Sequence, residues 1–551
     1  MKAINCFLGF SIFMFVILPL NGEDMINQDK NFENFLKDFI PEIEDKESRL
    51  NKAVWLLETT GSKDAADLVA TLDNEYKLFF SDEKNYEKLI FFKNQNILDP
   101  LLKRQLDILL KSFKANMLPK NLIKEISEKE AELFQTYANF RTILEDRKVT
   151  ENELREILKK ETDVELRKKA WEASKDVGVA LADKIVELAN LRNKAAKHIG
   201  YENFFEMKLD LDEIDSKMLF ETFDDLKVQT DEAFFHMLDE INIKLSKEFK
   251  VTKDELGVWA WKDPFCQSDP IEDAKLYEVF NDKDLLKIAK NFYDKMGYDI
   301  EDLIKRSDLY ERDGKNQHAF CIDIDRKGDV RTLNNIKANA RWMDTLLHEF
   351  GHAVYYLNID PSLPWLLRSC GHTLTTEALA MLMGRQIYSK EFLKEFCNIT
   401  DENWLNEVEK SIKRKQLVFS RSVFLITEFE KNLYEDPSQD LNDLWWTLFE
   451  KYYSIKRADN REGKKDWAAK YHVGLAPVYY HCYLLGEVFA STMQKQLLEV
   501  TKDNKIWKRS AAKFLNERLF YPGAKYRWDF LIEHVTNHPL ASDSWIEECN
   551  N

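Results

Sequence analysis

The chain has 551 residues, a formal net charge of −17 and 32% charged residues. Its length exceeds the usual size of one hydrophobic core, so either two domains or one large two-lobed domain is expected. The negative charge argues against a nucleic acid as partner, because the phosphate backbone would be repelled, and 16 Gly and 12 Pro residues are few enough to favour long helices.

The N-terminus has the features of a cleavable export signal. Lys2 precedes an apolar run over residues 7–20, and polar residues 21–24 follow it. This run of about 14 residues is shorter than the roughly 20 that a membrane-spanning helix needs, so we expect cleavage near Gly22 and no stable membrane insertion afterwards. We therefore predict a signal peptide over residues 1–22, one two-lobed domain over residues 23–551, and a secreted, lumenal or periplasmic location.

Cleavage there would remove Cys6 and leave an even number of cysteines. Six cysteines allow 15 full pairings, and the sequence selects none of them. Their wide spacing matches no cysteine-based zinc site. Buried free thiols are an equally good interpretation, so the disulfide state is left open.

Amphipathic helices are predicted along the N-terminal third. Apolar residues recur at helical spacing from residue 31 to Pro41, where we expect that helix to stop. Thr150 and Glu153 predict a capping box that starts another helix. The segment 170–204 predicts two helices that end near Gly200. No repeat or low-complexity linker interrupts this pattern, so no independent second domain is expected.

The periodicity changes between His318 and Leu333. Apolar and polar residues alternate over 318–325, a turn follows over 326–329, and another short strand follows the turn. This pattern predicts a β-hairpin directly before the next helix. The hairpin edge can accept an extended peptide as an added strand, and a purely structural hairpin is the alternative.

The next helix, predicted over 341–356, contains the sequence HEFGH from His348 to His352. A helix places these two imidazoles one turn apart on one face, where both can reach a single metal ion. Glu349 lies beside them and can take a proton from a zinc-bound water, whose pKa is lowered to about 7. The apolar residues around the motif predict a buried helix, and a buried His pair needs a partner such as a metal. The alternative is a surface helix with a chance motif; the setting favours the zinc site of a peptidase.

A zinc site with two His from one helix needs a third protein ligand and an open position for water. Pro361 and Pro364 break the chain after the HEFGH helix. A threonine cluster then opens a further helix, and Glu377 lies in its first turns. Glu377 can therefore supply the third ligand.

The last informative stretch, over 467–491, combines polar aromatic residues with an apolar background. Buried Tyr hydroxyls and imidazoles need partners, so a hydrogen-bonded core is one interpretation. The other is a set of donors aimed at the oxyanion of a reaction intermediate. The residues concerned are His472, Tyr479, Tyr480, His481 and Tyr483.

Taken together, these motifs resemble the angiotensin-converting enzyme family of zinc peptidyl-dipeptidases and, more distantly, the thimet oligopeptidase family. The resemblance is strongest over 318–491, with a weaker echo over 170–204, and the N-terminal third agrees only in helical character. The matching residues are His318 and its distance from the metal helix, HEFGH, Glu377, the Lys470-Tyr471-His472 sequence, and Tyr480 with Tyr483.

The resemblance implies an all-α, mainly helical fold. It would be a two-lobed ellipsoid with a deep central cleft that admits short unstructured peptides, with a small β-hairpin beside the zinc helix. One zinc ion would be bound by His348, His352 and Glu377. Glu349 would act first as general base and then as general acid.

The resemblance also implies roles for residues outside the metal helix. His472 and Tyr483 would stabilise the oxyanion of the intermediate. The hairpin edge would bind the substrate backbone. The implied substrate-binding residues are His318, Ala319, Lys470 and Tyr480.

The sequence departs from the family pattern at three positions. The family's Asp one turn after the third ligand is here Met381, so another group must orient the zinc His. Converting enzymes hold a substrate's terminal carboxylate with Gln, Lys and Tyr, and Trp261 stands where the Gln is expected. Since an indole offers one donor and more bulk, we predict that strict release of dipeptides is relaxed toward endopeptidase cleavage. The Arg that helps bind chloride is replaced by Cys482, which argues against a chloride requirement.

We therefore expect a zinc metallopeptidase, an oligopeptidase or a peptidyl-dipeptidase, that hydrolyses short peptides through a metal-activated water. The alternative is a catalytically silent homologue that binds peptides. Such homologues usually lose a ligand or the base, and this sequence keeps both. A zinc hydrolase of non-peptide acyl groups is a third interpretation, which the hairpin edge disfavours.

Overall fold

The structure, a computed structural model, describes residues 22–271, 274–316 and 318–550. It is mainly helical, and the strands among these residues form two antiparallel pairs. The predicted all-α class with a small hairpin beside the metal helix is therefore confirmed. Apart from Gly22, the predicted signal peptide lies outside the described residues, and its cleavage stays a prediction. No helix in the described ranges is long and apolar enough to cross a membrane.

Four N-terminal helices form a small hydrophobic core of their own. Phe32, Phe39 and Phe113 are buried in it, and Trp365 and Leu366 from the turn after the metal helix close it. The four helices are α1 (Gly22–Thr60), α2 (Lys63–Phe79), α3 (Glu83–Asn94) and α4 (Pro100–Asn116).

The prediction that a helix stops at Pro41 is wrong. Pro41 lies inside α1, which continues to Thr60. An internal proline loses a backbone hydrogen bond and costs about 3 kcal/mol. The second half of α1 compensates by tertiary contacts: Ile43 is buried, and Glu47 accepts two hydrogen bonds from Arg326, at 2.8 and 2.9 Å. Packing therefore outweighs the local preference of the proline.

The remaining elements surround a larger hydrophobic core. Before the metal helix they are α5 (Lys120–Asn139), β1 (Thr142–Leu144), β2 (Arg147–Val149), α6 (Glu151–Lys160), α7 (Val164–Ala173), α8 (Asp176–His198), α9 (Phe204–Leu211), α10 (Ser216–Phe249), α11 (Ala274–Glu278), α12 (Leu285–Met296), α13 (Glu301–Arg306), β3 (Phe320–Asp323) and β4 (Val330–Leu333). The metal helix and its successors are α14 (Ala340–Leu357), α15 (Thr373–Gly384), α16 (Lys390–Cys397), α17 (Glu402–Glu435), α18 (Leu441–Tyr453), α19 (Tyr471–Leu475), α20 (His481–Thr501), α21 (Arg509–Leu515), α22 (Trp528–Thr536) and α23 (Asp543–Asn550).

Several local predictions are confirmed. Thr150 and Glu153 form a reciprocal capping box at the start of α6. Over 170–204 the structure contains the end of α7 and the whole of α8, and Gly200 follows with a positive φ of 93°. The prediction of two helices ending near Gly200 is thus confirmed, although α7 already begins at Val164.

In the main core, α15 packs against both α14 and α20, and this packing positions the candidate metal site. Gly351 of α14 faces α15 so closely that a Cβ there would lie 3.1 Å from Cα of Ala380. A side chain at this position would push the two helices apart. Because α14 holds the two His and α15 holds Glu377, this close approach brings the three side chains together.

The predicted hairpin is confirmed as β3 paired with β4, with Phe320 opposite Leu333. The other edge of β4 is occupied, because the Asp308 N–H donates to Thr332 O at 2.9 Å and the Asn334 N–H donates to Asp308 O at 2.8 Å. Among the described strands, β3 pairs with β4 alone. The outer edge of β3 thus has no strand partner in the described part of the chain, and Asn51 of α1 donates to the Asp323 carbonyl group at the end of the strand, at 3.1 Å.

Within its described residues, the structure contains free thiols rather than disulfides. Of the two interpretations that the sequence left open, it therefore agrees with unpaired cysteines, of which four are buried. The residues are Cys266, Cys321, Cys370, Cys397, Cys482 and Cys549.

Candidate active site

Helices α14 and α15 bring three predicted metal ligands together. The Nε2 atoms of His348 and His352 are 3.1 Å apart, and Oε2 of Glu377 lies 3.6 and 3.9 Å from them, respectively. Tetrahedral zinc with bonds of about 2.0–2.1 Å places its ligand atoms about 3.3 Å apart. Oε2 of Glu377 is buried with no hydrogen-bond partner. These residues therefore fit a single zinc ion.

Two of these ligands, His352 and Glu377, have hydrogen-bond partners for the atoms that face away from the site. Nδ1 of His352 lies 2.7 Å from the Thr376 hydroxyl, and the Tyr479 hydroxyl donates to Oε1 of Glu377 at 3.0 Å. With Nδ1 as the donor, Nε2 of His352 keeps its lone pair for a metal. Burial holds the pKa of His352 well below its usual value, so the ring is neutral. Thr376 is thus the group that can orient His352, a role for which the sequence has Met381 in place of the converting enzymes' Asp.

Glu349 is buried beside the ligands, with 6% of its surface exposed. Its Oε2 has no hydrogen-bond partner among the described residues. Burial raises the pKa of Glu349 to about 7, with His348 lowering it and Glu377 raising it further. A carboxyl group in this range can both accept and return a proton near neutral pH.

Of the five polar aromatic residues that stand out in the 467–491 stretch, all but His481 form one cluster of rings. The ring of His481 is buried beside the Cys482 thiol. The ring centroids of His472 and Tyr480 are 4.8 Å apart, and those of Tyr480 and Tyr483 are 5.4 Å apart. Burial, together with the charge of Lys470, lowers the pKa of His472 to about 3, so the ring is neutral. Burial, then the charge of Glu377, raises the pKa of the Tyr483 hydroxyl, which stays protonated. Both predicted oxyanion-stabilising residues are thus neutral and able to donate a hydrogen bond.

Lys470 and Tyr480, predicted to bind a carboxylate, form one hydrogen-bonded set with Gln267. The Lys470 ammonium group donates to Oε1 of Gln267 at 2.7 Å and to the Tyr480 hydroxyl at 3.1 Å. Gln267 Nε2 lies 2.5 Å from both the Tyr480 and the Ser422 hydroxyls. Burial, then the charge of Arg155, lowers the pKa of Lys470 to about 7. An incoming carboxylate would stabilise the charged form of this amine.

The prediction that Trp261 replaces the family's Gln is therefore wrong. Trp261 is buried in the main core, where it packs edge-on against Tyr453 at 5.8 Å. After it the chain turns at Asp263, whose carboxylate accepts hydrogen bonds from the N–H groups of Phe265, Gln267 and Ser268. This turn, rather than the sequence position of Trp261, decides which side chain meets Lys470. The sequence feature that could have indicated Gln267 is its position just after the Asp263-Pro264 turn.

His318 and Ala319 precede β3 and lie beside the aromatic cluster. The His318 ring is 6.3 Å from the ring of Tyr471, the neighbour of His472. Strand β3 packs against α14, and the raised pKa of Cys321 is due to burial and then to the charge of Glu349. The hairpin that follows His318 therefore lies against the helix that carries Glu349.

Comparisons with known proteins agree with this arrangement. The sequence pattern of Peptidase family M3 matches residues 157–531, and the pattern described as Angiotensin-converting enzyme matches residues 26–237. The resemblance to both families is thus confirmed. The parts of the chain that match each family differ from those expected from the sequence. The converting-enzyme pattern matches the N-terminal helices, and the candidate metal site lies in the M3 match.

Two relatives align with parts of the chain. Carboxypeptidase 1 of Bacillus subtilis (strain 168) is 24% identical over 240 residues, which are 39% of this chain and 45% of that protein. The chromosomal Oligoendopeptidase F of Lactococcus lactis subsp. cremoris is 25% identical over 209 residues, which are 36% of this chain and 30% of that protein. Each match spans less than half the length of the relative.

Proposed function

The chain belongs to Peptidase family M3, and we propose that it is a zinc-dependent peptidase that hydrolyses short unstructured peptides. The observation that supports this most directly is the set of three ligand atoms within 3.1–3.9 Å of one another on α14 and α15. Glu349, the candidate base, is buried beside them. A catalytically silent homologue would be expected to lack one of these groups.

The chemistry divides among residues of this chain. His348, His352 and Glu377 would hold one zinc ion, which when bound acts as a Lewis acid toward water and carbonyl oxygen. Glu349 accepts a proton from the attacking water and returns it to the leaving amine. The remaining step is stabilisation of the negative charge that develops on the carbonyl oxygen. The neutral donors proposed to stabilise this charge are His472 and Tyr483.

Substrate binding is proposed to use two features. The outer edge of β3, with His318 and Ala319, would pair with the extended peptide backbone. Gln267, Lys470 and Tyr480 would bind a free C-terminal carboxylate, because a buried charge needs charge-assisted donors. With this set complete, we propose a peptidyl-dipeptidase preference in place of the relaxed cleavage that Trp261 suggested. The two relatives are named as a carboxypeptidase and an oligoendopeptidase, so their names do not choose between these modes.

Location and ion dependence are further parts of this proposal. The apolar run before Gly22 supports export followed by cleavage near that residue. Cys482 stands where the converting enzymes have the Arg that helps bind chloride, and this difference supports activity without chloride. The proposed partners are short peptides, with no nucleic acid.

The test uses one peptide in two forms, with a free or an amidated C-terminus. Purified protein is incubated with each form, and the products are identified by mass spectrometry. Dipeptide release from the free acid, with slow cleavage of the amide, is the expected result. Equal internal cleavage of both forms would contradict the dipeptidase preference, and no cleavage of any peptide by zinc-loaded protein would contradict the peptidase function itself.

A further inference from the structure

Glu430 is a buried carboxyl group that the chemistry described above does not use. It lies on α17 with 1% of its surface exposed, and its Oε1 accepts a hydrogen bond from the N–H of Val478 at 2.8 Å. Burial raises the pKa of Glu430 to about 8. Burying an ionisable group in a hydrophobic core costs free energy, so the presence of Glu430 at this position needs an explanation.

Val478 itself has an unusual backbone conformation. Its φ is 56°, in the left-handed region that β-branched residues rarely adopt. Its side chain is buried in the main core. Such a conformation persists only where the surroundings hold it, and it is typical of functional sites. The carboxyl oxygen of Glu430 satisfies the N–H that this conformation turns into the core.

The two residues after Val478 both make contacts in the candidate site. Tyr479 donates to Oε1 of Glu377, and Tyr480 lies in the carboxylate-binding set with Lys470. Two residues of extended chain span no more than about 7 Å, so the backbone direction at Val478 determines where both hydroxyls lie. The backbone conformation of Val478 thus affects both the candidate metal ligand Glu377 and the candidate carboxylate-binding residues.

The same loop is also held at its start. Arg192 of α8 donates to the Gly474 carbonyl group at 3.3 and 3.4 Å. Glu430 and Arg192 therefore hold the segment 474–478 from two helices. No other side-chain hydrogen bond to the Val478 N–H is present among the described residues.

We propose that Glu430 is a positioning residue: its hydrogen bond to the Val478 N–H holds the turn that presents Tyr479 to Glu377 and Tyr480 to the substrate carboxylate. This inference rests on the proposed function. A residue that only filled the core would affect stability alone. A positioning residue affects metal affinity and the preference for a free C-terminus as well.

The test compares three variants with the full-length wild type. Glu430→Met has similar length and no acceptor, so it should fold while losing the hydrogen bond. Glu430→Gln keeps a carbonyl oxygen as acceptor and is the conservative control. Val408→Ala, also buried on α17, lies about 33 Å away along the helix at about 1.5 Å per residue and controls for lost stability.

Two quantities are measured. One is the ratio of kcat/KM for the free-acid peptide to that for its amide; the other is zinc affinity, from competition with a chelator. Glu430→Met should lower the ratio at least tenfold and weaken zinc binding 10-fold to 100-fold, as loss of a group behind a metal ligand does. Glu430→Gln should stay within about threefold of wild type in both, and Val408→Ala should lower only the melting temperature.

The outcomes separate the two proposals. A Glu430→Met protein that keeps both the ratio and the zinc affinity overturns the positioning role, even if its melting temperature falls. If Glu430→Met does not fold, Glu430→Gln decides. A tenfold loss of the kcat/KM ratio in this variant, which retains the acceptor oxygen, would also overturn the proposal. A retained ratio would support it. A wild-type enzyme without any preference for the free acid would instead contradict the proposed carboxylate site, while zinc affinity would still test Glu430.

Discussion

Replacement of Gln267 by Met should weaken recognition of a free C-terminus. Gln267 is held by Lys470 and lies 2.5 Å from the Tyr480 hydroxyl, so its amide is one of three donors in the carboxylate set. A hydrogen bond to a charged group contributes about 1.5–3 kcal/mol. At about 1.4 kcal/mol per factor of ten, the loss in kcat/KM for a free-acid peptide should be about 10-fold to 150-fold. The amidated peptide carries no such charge and should change by less than about threefold.

The assay measures kcat/KM for the free-acid and amidated forms of one peptide by liquid chromatography of the products. The matched control is Trp261→Phe, which alters the residue that the sequence placed at this site. Because Trp261 is buried against Tyr453, its replacement should lower the melting temperature and leave the free-acid preference unchanged. The reasoning would be refuted if Trp261→Phe abolished the preference while Gln267→Met retained it.

Two further substitutions and one measurement on the natural protein have defined outcomes. Thr376→Val removes the partner of Nδ1 of His352 and should weaken zinc binding 10-fold to 100-fold, measured by chelator competition; unchanged affinity would contradict the orienting role. Gly351→Ala places a Cβ 3.1 Å from Cα of Ala380 and should lower the free energy of unfolding by about 1–3 kcal/mol, and a denaturation midpoint equal to wild type would oppose this. N-terminal sequencing of the natural protein should begin close to Glu23, whereas an intact Met1 would rule out the cleavable signal.

The candidate metal ligands could be predicted from the sequence because the spacing of the His pair is local. One helical turn separates His348 from His352, and α15 follows after a short break, so Glu377 can complete the set once α15 packs on α14. The helices themselves were also predictable, because apolar spacing and capping residues are local signals. Pro41 is the exception, since the contacts of α1 with the hairpin, which no local pattern contains, outweigh its preference to end a helix.

The supporting residues of the site could not be predicted, because they depend on tertiary placement. Gln267 meets Lys470 only because the chain turns at Asp263, and alignment by position selected Trp261 instead. Thr376 was visible as part of a helix-opening threonine cluster, and its bond to His352 depends on how α14 lies on α15. Residues with generic chemistry therefore gain their roles from packing rather than from a motif.

The most direct test of the central claim is peptide hydrolysis and zinc content measured together on wild type and Glu349→Gln. The account predicts one zinc ion per chain in both proteins, because the ligand set does not include Glu349. It also predicts that Glu349→Gln loses hydrolysis by several orders of magnitude, since the proton acceptor is gone and the ligands remain. Full activity of the Gln variant, or of wild type stripped of zinc, would contradict the mechanism.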